Sequence, residues 1–421
     1  MKKSIYILFC IMSALLMGHS VEAAKLFAVE VEYDPGTGPV TLFAENSSFP
    51  DLIDELIQHV AAFDILDSAD TFDAAVRFYA VPEAFNLYVE KDYNGTGNLY
   101  VLLTSSLTGV AKEFVAVDGD DMQKQIVDWL YLTGGAEAVA LVKAITILSA
   151  SATTDGGPGA MTAQMADTTF HLFGFYTRGA RTNDMRGASS GAHVGIQVDT
   201  SRFKFDSLVG PIEGERTKVG IPLWLNFSSR VSYIGQIEFD YTSMEGTEFY
   251  GLGADMGLSF RPVLRTGADR FGWQITPFFG AHARGSVDGV SAAILHQFGL
   301  NNRFEWRLFN RALISWISQY TTMGSLTLAV DDYQITADIN QDIFKNGLLL
   351  EVPVFSMKSL YGNFTFIDTR FLEEAKVDGY QEAGLGLAYR LKTFSLGTGL
   401  EWTFADGYEE TQLNLHLAWD L

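Results

Sequence analysis

Gly187-Ala188-Ser189-Ser190-Gly191 satisfies the spacing Gly-x-Ser-x-Gly, which in hydrolases lifts a nucleophilic serine onto a tight strand-to-helix elbow. That chemistry needs a helix after the serine. The next residues, AHVGIQVDTS, alternate like a strand, so the stretch reads as a Gly/Ser turn. Asp92-Tyr93-Asn94-Gly95-Thr96-Gly97 begins like a calcium-binding loop, but its twelfth position is Leu103 where a bidentate Glu is needed. A hairpin turn between LYVEK and NLYVLL accounts for it. Asp118 to Asp121 could hold a divalent cation weakly, and the same carboxylates suit a solvated helix start. Cys10 is the single cysteine and lies in the leading segment, which excludes disulfides, thiolate catalysis and Cys-ligated metals from the rest of the chain. No catalytic, cofactor-binding or metal-binding set is expected from these residues.

A different group of polar residues is more regular. Glu382, Arg390, Glu401, Gln412, Asn414, His416 and Asp420 sit on one face of alternating segments, opposite Leu, Tyr, Trp and Phe. The last eleven residues, TQLNLHLAWDL, carry Leu413, Leu415, Leu417, Trp419 and Leu421 at every second position to the end. Tyr250 to Phe260, Leu385 to Leu391 and Phe394 to Phe404 show the same period of two, with Gly, Ser, Thr or Asp between the bulky residues. Such strands have one apolar and one polar face, which fits a sandwich or a barrel in lipid. In hydrocarbon every backbone donor and acceptor must be paired within the protein, so only helices or closed sheets survive there. The polar set then lines a lumen, while Tyr389, Trp402, Phe404 and Trp419 point outward towards the membrane interfaces.

These elements occupy only part of the 421 residues, which are 48% hydrophobic with 40 Gly and 10 Pro. The start, MKKSIYILFCIMSALLMGHSVEAA, has two lysines, an apolar run and small residues at the cleavage positions, which predicts a cleaved secretory signal over 1–23. That run is too short to span as a helix, which takes about 20 apolar residues. Residues 24–150 hold 20 Asp and Glu against 6 Lys and Arg and mix strand-like runs (Leu26 to Tyr33, Ala74 to Ala80, Phe85 to Glu90, Asn98 to Thr104, Glu113 to Val117) with helical ones. SSFPDLIDELIQHVAAF and DDMQKQIVDWLYL read as helices, so this part is a small soluble acidic α+β domain. Leu148 to Asp167 loses both periodicities and reads as a linker, assigned to 151–167. The net charge of −22 argues against nucleic acid as a partner and against a basic patch for anionic membranes.

From residue 168 to 421 the chain resembles the outer-membrane β-barrels of Gram-negative bacteria, whose last strand alternates apolar residues from the C-terminal residue inward. Leu421 stands where that family usually has an aromatic. The resemblance implies recognition of Leu413, Leu415, Leu417, Trp419 and Leu421 by the barrel assembly machinery, escort by periplasmic chaperones, and surroundings of outer-membrane lipid and lipopolysaccharide. At roughly 20 residues per strand and connection the span gives about 12 strands, with 10 or 14 open, and Val287 to Asn310 readable as one strand or two. The sequence is similar to autotransporter-type β-domains, of the solitary kind with a short passenger. That likeness implies a lumen-threading segment, for which Gly135 to Ala150 is a candidate, and the same residues equally suit a last helix of the soluble domain. Barrel phospholipases and lipid A deacylases pair His with Ser two residues on, and none of His59, His171, His193, His282, His296 and His416 has that neighbour. Phe205-Asp206-Ser207-Leu208 echoes the GDSL-type esterase block without its Gly. The expectation is therefore a non-enzymatic barrel carrying a small N-terminal domain, with a porin-like channel or structural barrel with a periplasmic N-terminal domain as the alternative.

Overall fold

The computed structural model describes residues 25–34, 38–49, 51–52, 71–129, 134–148, 157–175, 191–207, 209–264, 270–286, 291–308, 312–326, 328–330, 333–335, 339–354, 359–373, 375, 377–391 and 394–420. The expected signal segment, the Ser-bearing part of the Gly-x-Ser-x-Gly stretch, Leu421 and the Asp420 side chain lie outside them.

The acidic part forms a six-stranded antiparallel sheet in the order β2-β1-β3-β4-β5-β6, with β1 Phe27–Tyr33, β2 Val40–Asn46, β3 Thr71–Phe78, β4 Val81–Glu90, β5 Leu99–Ser105 and β6 Val110–Ala116. VTLFAEN of β2 was missed in the sequence because Leu42, Phe43 and Ala44 in succession break the polar–apolar alternation. It is an edge strand, and its Phe43 is 56% exposed. Asp118 caps helix α1 (Gly119–Asp128), accepting from the Asp121 amide at 2.9 Å, which gives that acidic cluster a structural role. The Asp92 carboxylate likewise closes the β4–β5 turn, accepting from the Gly97 amide at 2.7 Å. Helix α2 (Gly135–Leu148) buries Ala138, Leu141 and Ile145 in the core of this domain. The lumen-threading alternative for these residues is therefore corrected: their apolar face is spent on the sheet.

Twelve strands close an antiparallel barrel: β7 Gly191–Ser207, β8 Gly210–Asn226, β9 Val231–Met244, β10 Thr247–Val263, β11 Phe271–Ser286, β12 Ser291–Arg307, β13 Leu313–Leu326, β16 Asn340–Pro353, β17 Leu360–Phe371, β18 Gly379–Arg390, β19 Phe394–Ala405 and β20 Tyr408–Asp420. Strands β14 (Leu328–Val330) and β15 (Tyr333–Ile335) form a separate small hairpin. The last strand pairs with the first, Leu413 opposite Thr200 and Trp419 opposite Val194, so no edge is left open. Ser291–Arg307 is one strand, which resolves the ambiguity over that region.

The outer face of the wall is apolar: Leu252 is 51% exposed, Leu385 53%, Phe298 51% and Phe404 51%. In water such a surface would be an aggregation liability, whereas in hydrocarbon it is what a barrel needs.

Two boundaries differ from the expected ones. The barrel begins at Gly191 instead of 168, and the stretch assigned as linker, 151–167, ends inside helix α3 (Met161–Phe170), which continues as a wider turn over His171–Phe175. Nine of the ten α3 residues are buried. A helix surrounded on all sides shows no amphipathic stripe, so its small and polar residues passed for a linker.

Candidate functional site: a helix-filled lumen

Both ends of the closing pair, the start of β7 and the end of β20, lie at one mouth of the barrel, the terminal mouth. The turns β7–β8, β9–β10 and β19–β20 lie at the other, the far mouth. Helix α3 runs between the two. At its start Met161, Ala163, Met165 and Ala166 pack on Ala293, Leu295, Met323, Ile343 and Phe371, all near the far mouth. At its end Leu172 and Phe173 pack on Trp224, Ile234, Phe278 and Ala418, towards the terminal mouth. In between, Phe170 meets Ile317, Leu349 and Ile367. A helical rise of about 1.5 Å per residue makes 161–175 about 22 Å long, close to the height of the lipid-facing band.

Polar contacts fix the depth and rotation of the helix. Lys345, fully buried, forms an ion pair with Asp167 and donates to Glu382 Oε2 at 3.0 Å. The Tyr380 hydroxyl donates to Asp167 Oδ1 at 2.8 Å. Thr168 Oγ1 donates to Glu238 Oε2 at 2.9 Å and accepts from Lys218 Nζ at 3.4 Å. Gln319 Nε2 reaches Thr169 Oγ1 at 3.0 Å and the Ala166 carbonyl at 3.2 Å, and Arg216 Nη2 reaches the Gly159 carbonyl at 3.3 Å. Glycine permits the closest approaches. A Cβ on Gly174 would lie 2.7 Å from Ile317 Cγ2, and one on the wall residue Gly257 would lie 2.9 Å from Phe173 Cε1.

The space left beside the helix is a cavity of about 50 Å³, enough for a few waters, bordered by Glu382, Glu401, Gln412, Asn414 and His416 from the wall and by Asp167 and His171 from the helix segment. Arg390 lies elsewhere. It pairs with Glu351 and stacks over Tyr361 at 4.5 Å, near the terminal mouth. Leu415 and Trp419 are exposed on the outer face at 39% and 36%, with Leu413 and Leu417 half-buried. Sequence reading did not single out Lys345, Asp167, Lys218, Glu238, Arg216 or Glu410. Lys345 in particular sits in NQDIFKNGLLL, where Ile343-Phe344 and Leu348-Leu349-Leu350 break the alternation, so its facing was not legible.

The far mouth is covered. Phe203, Phe205, Ile212, Met244, Phe249 and Tyr408 of the barrel share one buried cluster with the N-terminal sheet, and Tyr79 lies 6.4 Å from Phe249, ring to ring. Thr247 Oγ1 donates to the Ser47 carbonyl, and Lys25 Nζ reaches the Glu245 carbonyl at 3.5 Å.

The architecture is that of an outer-membrane β-barrel. Similar solved structures include the translocator domain of the autotransporter NalP from Neisseria meningitidis, at 10% identity and TM-score 0.44, covering 64% of this chain and 99% of that one. The beta domain of the Bordetella autotransporter BrkA gives 12% identity and 0.42, covering 54% and 99%. An outer membrane channel from Pseudomonas putida F1 gives 10% and 0.41, covering 57% and 98%. No protein-family model and no curated protein matches the sequence.

Proposed function

We propose that this chain is a non-enzymatic, autotransporter-like outer-membrane barrel that holds its small N-terminal domain at the outer surface, after export by the cleaved signal over residues 1–23 in a Gram-negative cell. The observation that carries this reading is the path of the chain. The N-terminal domain caps the far mouth, α3 descends the lumen, and the first barrel strand starts at the terminal mouth. With an even number of strands both barrel ends share a side. Delivery from the periplasm leaves that side inward, which turns the far mouth, and the domain on it, outward.

In this role the outer apolar band meets outer-membrane lipid and lipopolysaccharide. Leu413, Leu415, Leu417, Trp419 and Leu421 form the edge that the barrel assembly machinery reads after periplasmic chaperones deliver the chain. A passive channel requires α3 to leave a lumen in which it makes both apolar and ion-pair contacts.

Protease added to intact cells tests the orientation. Display predicts loss of the 24–150 segment without permeabilisation, leaving a protected barrel. Cleavage that requires a permeabilised outer membrane would overturn display and leave a periplasmic domain.

A further inference from the structure

The cavity beside α3 carries more negative charge than its neighbours balance. Asp167, Asp199, Glu238, Glu382, Glu401 and Glu410 border it with Lys218, and Lys345 and Arg216 reach Glu382 and Glu410 from the side. Among the described residues that sets six carboxylates against three fixed cations. Buried carboxylates are costly unless protons or cations neutralise them.

Three ligand-type side chains from three elements converge at one edge of this cavity. His171 follows α3, Glu382 is on β18 and Glu401 on β19, and one donor atom from each lies within 4.8 Å of the others. Glu382 and Glu401 are buried, at 3% each. His171 Nε2 stands 3.6 Å from Glu401 Oε1, longer than a hydrogen bond. It is close to the roughly 3.3 Å edge of a tetrahedron whose metal–ligand bonds are about 2.0–2.1 Å. Lys345 takes Glu382 Oε2, and that carboxylate has a second oxygen to offer. Closing from a separation of at most 4.8 Å to that edge takes up to about 1.5 Å of side-chain movement, and the cavity supplies waters for further positions.

We infer that His171, Glu382 and Glu401 form a binding site for one divalent first-row metal ion, of which Zn²⁺ is the representative. One imidazole nitrogen with two carboxylates suits Zn²⁺ or Mn²⁺ better than the all-oxygen shells of Ca²⁺ and Mg²⁺. The ion links the lumen segment to two neighbouring wall strands and supplies charge that the wall lacks. The site stands on geometry inside the barrel, independent of which way the N-terminal domain faces.

The full-length folded protein in detergent, stripped with a chelator, is dialysed against Zn²⁺ and separately against Co²⁺. The expected result is one equivalent of Zn²⁺ and a Co²⁺ absorption spectrum of low coordination number. Glu401→Gln and His171→Asn, each checked for heat-modifiable migration, should weaken binding at least tenfold. Unbound Zn²⁺, or a Co²⁺ spectrum matching the hydrated ion in the wild type, would overturn the site without needing any variant and would leave protons as the neutralising charge. Unchanged affinity in both folded variants would also overturn it, by placing the ion elsewhere.

Discussion

Lys345→Met is the sharpest test of how the lumen is held closed. Methionine keeps nearly the same length, so the change removes charge while preserving most of the packing against Phe170 and Tyr380, whose rings lie 5.4 and 4.9 Å from the ammonium. With α3 in place, Asp167 and Glu382 then face each other in a confined site, with room for only a few waters beside it, without their shared cation. With α3 displaced, the lumen fills with water and both carboxylates are solvated. The penalty therefore falls on the closed state. Removing one partner of a buried ion pair costs about 3–5 kcal/mol, which at about 1.4 kcal/mol per tenfold shifts the closed-to-open ratio by roughly two to three and a half orders of magnitude. Single-barrel recordings in planar bilayers read this as a rise in the open fraction of the same size. Adding Asp167→Asn removes the opposing plug charge and should recover at least tenfold of it, as a double-mutant cycle requires for groups in contact. A heat-modifiable K345M barrel as silent as the wild type would refute the reasoning and put the closing energy in the apolar contacts alone.

Leu385→Arg places a charge near the middle of β18 on the lipid side, where Leu385 is 53% exposed. It should lose about 2–4 kcal/mol and reduce heat-modifiable barrel on gels, while Glu382→Gln, three positions before it in the chain and on the lumen side, should still assemble. Phe249→Ala opens a cavity in the cluster that joins the N-terminal sheet to the far mouth. A cost of about 3–5 kcal/mol for a fully buried Phe should appear as faster hydrogen exchange in β1 and β3, with the barrel unchanged, and unaltered exchange there would count against a packed cap.

The barrel was legible because lipid and lumen impose opposite demands on successive residues. Phe394 to Phe404 and Leu413 to Trp419 keep a period of two that a helix or a loop has no reason to keep. Length pointed to about twelve strands and left ten or fourteen open, and the closed pairing fixes twelve. The helix in the lumen was not legible. MTAQMADTTF has neither an apolar stripe nor a side-chain cap: Met161 and Phe170 are buried, and so are polar Thr162, Gln164 and Thr169. The stretch with more regular apolar character, Gly135–Leu148, went to the sheet instead. Inward Ile317, Leu349 and Ile367 were hidden for a related reason: once α3 is present, lumen positions can be apolar, so the rule of polar inside fails where the plug touches.

Sequence by itself determined that this chain carries two-faced strands, apolar on one side and polar on the other, after a distinct acidic domain, since side-chain alternation and charge are local properties. Only the tertiary structure decided what fills the barrel, which mouth the domain covers, and which charges meet inside. Asp167 and Lys345 lie far apart in the chain, as do His171 and Glu401, and closure of the wall around α3 is what brings them together. A pairing made by closure leaves no periodic trace in the strands that form it.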